Sequence, residues 1–212
     1  MWVKICGITT LEAARACVEA GADAIGFVFA DSKRRISVED AGKIIKALPQ
    51  ETQKVGVFVD MPWKEAAEIE NCIGLDLLQF HGSESPHYCS LFPGKAIKSF
   101  RVSSARDLRA IRVYRGKVRA CLLDSFQSGK AGGTGKAWNW KLFNAELYNR
   151  LAGIPLIVAG GLTPGNVTAV LQELKPDGVD ISSGVERDGE KDPALIKRFV
   201  EIVRRWENGI LA

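Results

Sequence analysis

Four side chains able to exchange protons stand near the ends of short apolar runs. Cys6 lies in VKICGI (3–8), His81 in LLQFHG (77–82), Asp124 in VRACLLDS (118–125) and Asp180 in GVDISSG (178–184). Two further stretches, Gly160-Gly161 after PLIVA and Ser182-Ser183-Gly184 after GVDI, are built from glycine and serine. Glycines let a backbone approach an anion, and serines add hydroxyl donors, so these stretches read as a phosphate cradle in preference to plain tight turns. A thiol, an imidazole and two carboxylates are costly to bury unless they are paired or functional.

What would bring them together is a repeating pattern. Short β-branched runs at 3–8, 24–30, 54–60, 77–82, 95–102, 118–125, 155–161 and 178–184 alternate with helical patterns near 11–20, 38–48, 63–73, 85–92, 104–114, 138–150, 165–175 and 193–207. Thr9 with Glu12, Ser37 with Asp40 and Ser104 with Asp107 resemble capping boxes. Ser85-Pro86 and Asp192-Pro193 offer a cap followed by proline in the first turn. GADAI (21–25) and GLDLL (74–78) repeat one helix-to-strand junction, with glycine ending the helix. Eight such units predict an α/β chain folded as a single (β/α)8 TIM barrel, with a parallel eight-stranded sheet and one domain over 1–212. An open doubly wound sheet would favour GxGxxG after the first strand, and CGITTL does not supply it.

In a barrel the chemistry sits at the carboxyl ends of the strands, and side chains alternate between faces. The apolar Val3 and Ile5 should face the helices, which turns Lys4 and Cys6 inward. The same test sends Gln79, His81, Leu122, Asp124, Asp180 and Ser182 inward. Lys98, between apolar neighbours, is grouped with them. Lys4 could support a Cys6 thiolate or pair with Asp180 on the neighbouring strand.

Composition bounds the alternatives. The chain has 212 residues, a net charge of +4 and no basic block, so no nucleic-acid partner is expected. Its five cysteines are scattered, odd in number and in no CxxC pair, which argues against a disulfide scaffold or metal site and suits a reducing cytoplasm. No signal peptide is read. Residues 151–172 carry no charge, but Pro155, Pro164 and several glycines interrupt them, and no membrane span is assigned. GGTGK (132–136) lacks the Ser or Thr of a nucleotide loop and reads as a mobile loop after strand 6. Trp206 with Leu195, Phe199 and Ile202 makes a packing stripe, the adjacent Arg204-Arg205 its solvated face, and His87 a surface position.

Taken in order, VKICGIT, GFVF, SKRRIS, VGVFVD, LQFHG, LLDS, GGTGK, AGGLTPGNV and VDISSGVE resemble the phosphoribosylanthranilate isomerase family of tryptophan biosynthesis along essentially the whole chain. The resemblance implies a cofactor-free, metal-free Amadori rearrangement of a phosphosugar, with Asp124 as acid and Cys6 as base. It also implies that Arg34 holds the anthranilate carboxylate, with Arg35 as its alternative. Asp180 either binds a ribose hydroxyl or anchors Lys4, and His81 either lines the pocket or is a satisfied core histidine. A thiol titrates near 8.5 and an aspartic acid near 3.9, so such a site must bring the first down and the second up. Indole-glycerol-phosphate synthase or a histidine-pathway isomerase would need other strand-end residues. A phosphosugar sensor would need neither Cys6 nor Asp124. Monomer and homodimer both remain open.

Overall fold

The computed structural model describes residues 1–101, 107–124 and 153–210. Eight strands, β1 (Trp2–Cys6), β2 (Ala24–Val28), β3 (Gln53–Phe58), β4 (Leu77–Phe80), β5 (Ala96–Arg101), β6 (Ala120–Asp124), β7 (Leu156–Ala159) and β8 (Gly178–Ile181), pair in parallel in chain order. β8 pairs back onto β1 with Lys4 opposite Asp180, closing the expected barrel. Helices at Leu11–Glu19, Val38–Lys46, Trp63–Ile73, Pro86–Ser90, Val167–Leu174 and Pro193–Glu207 return the chain between strands or cover the last of them. The helical pattern expected near 104–114 is a 3-10 turn, Asp107–Tyr114, and the pattern at 138–150 and the loop 132–136 lie outside the described residues.

Period-two alternation divides the core into two parts. Ala24, Val55, Leu77, Ile97, Ala120, Leu122, Ile157 and Ala159 fill the barrel interior. Val3, Ile5, Ile25, Phe27, Phe58, Leu78, Phe80, Leu123, Val158, Val179 and Ile181 pack outward against the helices. Each strand therefore presents one apolar face to the helices and keeps the other for the lumen. At the mouth that second face becomes polar.

The junctions work as the repeated motif suggests. Asp23, Asp76 and Asp177 each precede a strand, and their carboxylates accept the backbone N–H of Val3, Lys54 and Leu156 at 2.7 Å. Each carboxylate thus stitches the start of its own strand to that of a neighbour. Ser37 caps its helix by accepting from Asp40 N, Ser85 from Tyr88 N, and Asp192 from Ala194 N and Leu195 N.

Three expectations are corrected. The cap of the first helix is Thr10, which accepts from Ala13 N, and not Thr9. Lys98 does not face the lumen: Ile97 does, so strand alternation turns Lys98 outward, where its ammonium lies 3.1 Å from Glu84 and donates to Gly82 O and Phe80 O. Arg204 is not simply solvated: it donates to Met1 O, Gly21 O and Asp23, tying the last helix to the bottom of β1, while Arg205 is exposed. His87 is exposed and Phe199 buried, as the spacing predicts.

Candidate active site

Cys6 is the last residue of β1 and Asp124 the last of β6; β7 and β8 lie between them around the ring. Cys6 is buried with 8% exposure. Its position depends on Gly26, its register partner on β2, where a Cβ would lie 2.9 Å from Cys6 Sγ and 3.1 Å from Lys4 Cε. No larger residue leaves room for thiol and ammonium together.

Lys4 is fully buried, and its Nζ lies 2.7 Å from Asp180. Burial disfavours the ammonium, but Asp180 and then Cys6 outweigh it and hold the Lys4 pKa above its ordinary value. The two readings of Lys4 are therefore compatible, since one ammonium serves both the carboxylate and the sulfur. Burial pushes the Cys6 thiol up from its ordinary value; Lys4 and Lys191 pull it back and Asp180 adds to the rise. The net direction is opposite to the lowering that the implied chemistry asks for, and the two ammonium groups are what oppose it. Cys17 and Cys121 are pushed up to about 12, chiefly by burial.

On the far wall, His81 Nε2 lies 3.3 Å from Asp124 Oδ2, and the two side chains are 20% and 21% exposed. His81 Nδ1 is 3.3 Å from Gln79 Nε2. An amide donor at Nδ1 leaves Nε2 to carry the ring hydrogen and point it at Asp124. Asp180 connects the two walls. Burial raises its pKa, Lys4 opposes the rise, and both Asp124 and His81 act on it through space.

The anion side is formed by adjacent turns. Gly160 and Gly161 follow β7 with φ of 84° and 64°, where glycine is needed. Ser182 follows β8, and Ser183–Val185 form one 3-10 turn. A Cβ on Gly184 would lie 1.8 Å from Leu162 O, so the two turns are in direct contact. Ser182 Oγ donates to Cys6 O, which joins the turn to the end of β1.

Arg34 reaches this mouth and Arg35 does not: Arg35 is exposed, whereas Arg34 crosses over Gly7, where a Cβ would meet Arg34 Cδ at 2.4 Å. Gly7 has φ 78°, so backbone and space both require glycine there. Arg34 donates from Nε and Nη2 to the two oxygens of Glu186 at 2.6 and 2.8 Å. Lys191 Nζ lies 2.7 Å from the same carboxylate. Sequence reasoning missed Glu186, Lys191, Gly7 and Gly26 as parts of the site. A signal for the first two was present in ERDGEK (186–191): Asp188 and Gly189 both take positive φ, as a two-residue Asp-Gly hairpin turn requires, and this sets Lys191 opposite Glu186.

Residues 3–202 match the family model for N-(5'phosphoribosyl)anthranilate isomerase. The chain belongs to this family. It is 48% identical over 202 residues to N-(5'-phosphoribosyl)anthranilate isomerase of Desulforudis audaxviator, covering 95% of this chain and 97% of that one. The isomerase of Moorella thermoacetica is also 48% identical, over 97% of this chain and 90% of its own. Among solved structures, phosphoribosyl anthranilate isomerase of Thermotoga maritima superposes with a TM-score of 0.87 at 39% identity, over 96% of this chain and 98% of that one. A family member in complex with reduced 1-(o-carboxyphenylamino)-1-deoxyribulose 5-phosphate superposes with a TM-score of 0.84 at 38% identity, over 96% of this chain and 98% of that one. Membership in this family makes the chain an aldose–ketose isomerase of tryptophan biosynthesis.

Proposed function

We propose that the chain converts N-(5'-phosphoribosyl)anthranilate to 1-(2-carboxyphenylamino)-1-deoxyribulose 5-phosphate with Asp124 as general acid and Cys6 as general base. The Asp124 carboxyl gives its proton to the furanose ring oxygen, the C1–O bond breaks, and the ring opens to an iminium at C1. The His81 Nε2 hydrogen steadies the carboxylate left behind. Cys6 removes the C2 proton. The resulting enolamine takes a proton at C1 while its C2 hydroxyl gives one up to solvent, which leaves the C2 ketone. Lys4 favours the thiolate electrostatically, and Asp180 receives a ribose hydroxyl while holding Lys4. The turns at Gly160-Gly161 and Ser182-Ser183-Gly184 take the phosphate, and Arg34 takes the anthranilate carboxylate.

The observation that carries this reading is the polar chain across the mouth. Cys6 and Lys4 stand on one wall, Asp124 and His81 on the other, with Asp180 within electrostatic reach of all four. Both proton-transfer groups thereby face one substrate.

The same reading places the whole chain in one barrel domain, in the cytoplasm, acting on a small phosphosugar as a monomer or homodimer. A related Thermotoga maritima structure is described as monomers of a dimeric isomerase. Among the described residues no helix is long and apolar enough to cross a membrane.

The test is purified protein given freshly made phosphoribosylanthranilate. Accelerated loss of anthranilate-type fluorescence supports the assignment. Tight phosphosugar binding with loss at the spontaneous rate identifies a sensor instead.

A further inference from the structure

Arg34 is not a free arm over the mouth. Its guanidinium is held edge-on by Glu186, with Nε at 2.6 Å and Nη2 at 2.8 Å from the two carboxylate oxygens. A guanidinium has five N–H groups in a fixed plane. The Glu186 fork occupies two of them along one edge. Nη1 and the second Nη2 hydrogen have no hydrogen-bond partner among the described residues and form a second edge of the same shape. Two carboxylates can therefore bind one guanidinium at once, one along each edge.

Charge supports a second anion there. Glu186 is shared with Lys191, 2.7 Å away, and both side chains are almost fully buried. Arg34, Lys191 and Glu186 together are two cations and one anion, so the cluster lacks one negative charge. Lys33 adds a weaker positive influence at 3.9 Å, screened because it is 68% exposed. The hairpin that supplies Glu186 and Lys191 is itself anchored at the site, since Lys191 Nζ also donates to Ser182 O at 3.0 Å and lies 3.3 Å from Ser182 Oγ. A rotamer-rich arginine is thus presented already ordered, which lowers the entropic cost of capturing a ligand.

We propose that Glu186, itself neutralised by Lys191, is a positioning residue that aims the free edge of Arg34 at the anthranilate carboxylate and so makes the site selective for substrates carrying that group. The inference rests on the reading that Arg34 receives this carboxylate. Glu186 touches no reacting atom; it acts through Arg34.

The test compares two stable ligands in calorimetric titration: reduced 1-(o-carboxyphenylamino)-1-deoxyribulose 5-phosphate and its counterpart with a plain phenyl ring. The ratio of their Kd values measures recognition of the carboxylate alone, because the phosphate and polyol are common to both. Arg34→Ala should abolish the preference. Glu186→Gln should weaken binding of the carboxylated ligand about tenfold, as expected for losing well-aligned charge-assisted bonds, and leave the phenyl ligand unchanged. Glu186→Asp keeps the charge but draws it back by one methylene, and should fall between wild type and Glu186→Gln; it also decides the matter should the amide variant not fold. In turnover, the Glu186 variants should raise KM with little change in kcat. A preserved preference in the Glu186 variants, with Arg34→Ala abolishing it, overturns the role of Glu186. A preference preserved in Arg34→Ala overturns the underlying assignment of the carboxylate to Arg34.

Discussion

His81 Nε2 lies 3.3 Å from Asp124 Oδ2, at the mouth of a closed barrel and across from the Cys6 strand. The contact brings His81, whose place its sequence context left open, against Asp124, the proposed acid, with Gln79 Nε2 at 3.3 Å from the other ring nitrogen. Asp124→Asn removes the proposed proton donor while keeping size and most hydrogen bonding. Its kcat should fall by roughly 10²–10⁴, the usual worth of a positioned acid or base. Binding of the reduced product analogue should stay within a few-fold of wild type. His81→Asn should lower kcat by less, because it only steadies the carboxylate left after proton transfer. Stopped-flow kinetics beside calorimetry separates the two effects.

Lys4 answers to two neighbours, and removing it exposes both. Lys4→Met leaves Asp180 buried without its counter-charge, which should cost about 3–5 kcal/mol of unfolding free energy. It also removes the strongest influence favouring the Cys6 thiolate. With the Cys6 thiolate as the proposed base, the rising limb of kcat/KM should move to higher pH. Urea melts and a pH profile check the two parts. An unmoved limb in a folded variant would show that Lys4 serves Asp180 alone.

Gly26 is a packing position with a catalytic consequence. A methyl group added there meets Cys6 Sγ at 2.9 Å and Lys4 Cε at 3.1 Å. Gly26→Ala should cost about 1–3 kcal/mol through overpacking. Activity should drop further than that figure implies, because the displaced atom is the sulfur of the proposed base. Thermal denaturation and initial rates on the same preparation test the split.

The Glu186 carboxyl titrates at about 2: burial pushes it up, but bonds from Arg34 and Lys191 outweigh that and draw it below the ordinary 4.5. A carboxyl lowered on folding contributes stability that is fully present above its unfolded pKa. That contribution is lost as pH falls towards the folded value. Between pH 4.5 and about 2 the wild type should therefore lose stability that Glu186→Gln does not lose. The difference should be of order 2 kcal/mol after allowance for solvent screening. Denaturant melts across that window measure it.

Cys6 was legible because its strand alternates cleanly: Val3 and Ile5 mark the apolar face, and Lys4 and Cys6 must take the other. Asp124 stands out differently, as the one charged residue ending a strand whose Leu122 and Leu123 fill both faces. Lys98 lies between Ile97 and Ser99 and shares its face with Ala96 and Phe100, which pack toward the helices; a charge on that face reads poorly because its burial there depends on Glu84, distant in sequence. Arg204 was misread for a similar reason. A helix pattern shows which residues leave the packing stripe but not that the chain's first residues lie under one of them. Glu186 and Lys191 came within reach of the Asp-Gly turn signal. Their function nevertheless depends on Arg34, which arrives from another loop, and no local rule joins residues 152 positions apart.

The proton taken from C2 is the step on which the account stands. Substrate deuterated at C2, given to wild type and to Cys6→Ala, tests it directly. Wild type should release the deuterium as product forms. Cys6→Ala should retain it in unreacted substrate, with turnover reduced by roughly 10²–10⁴, while still binding the reduced product analogue. Release of the deuterium by Cys6→Ala at the wild-type rate would contradict the assignment of the thiol as base.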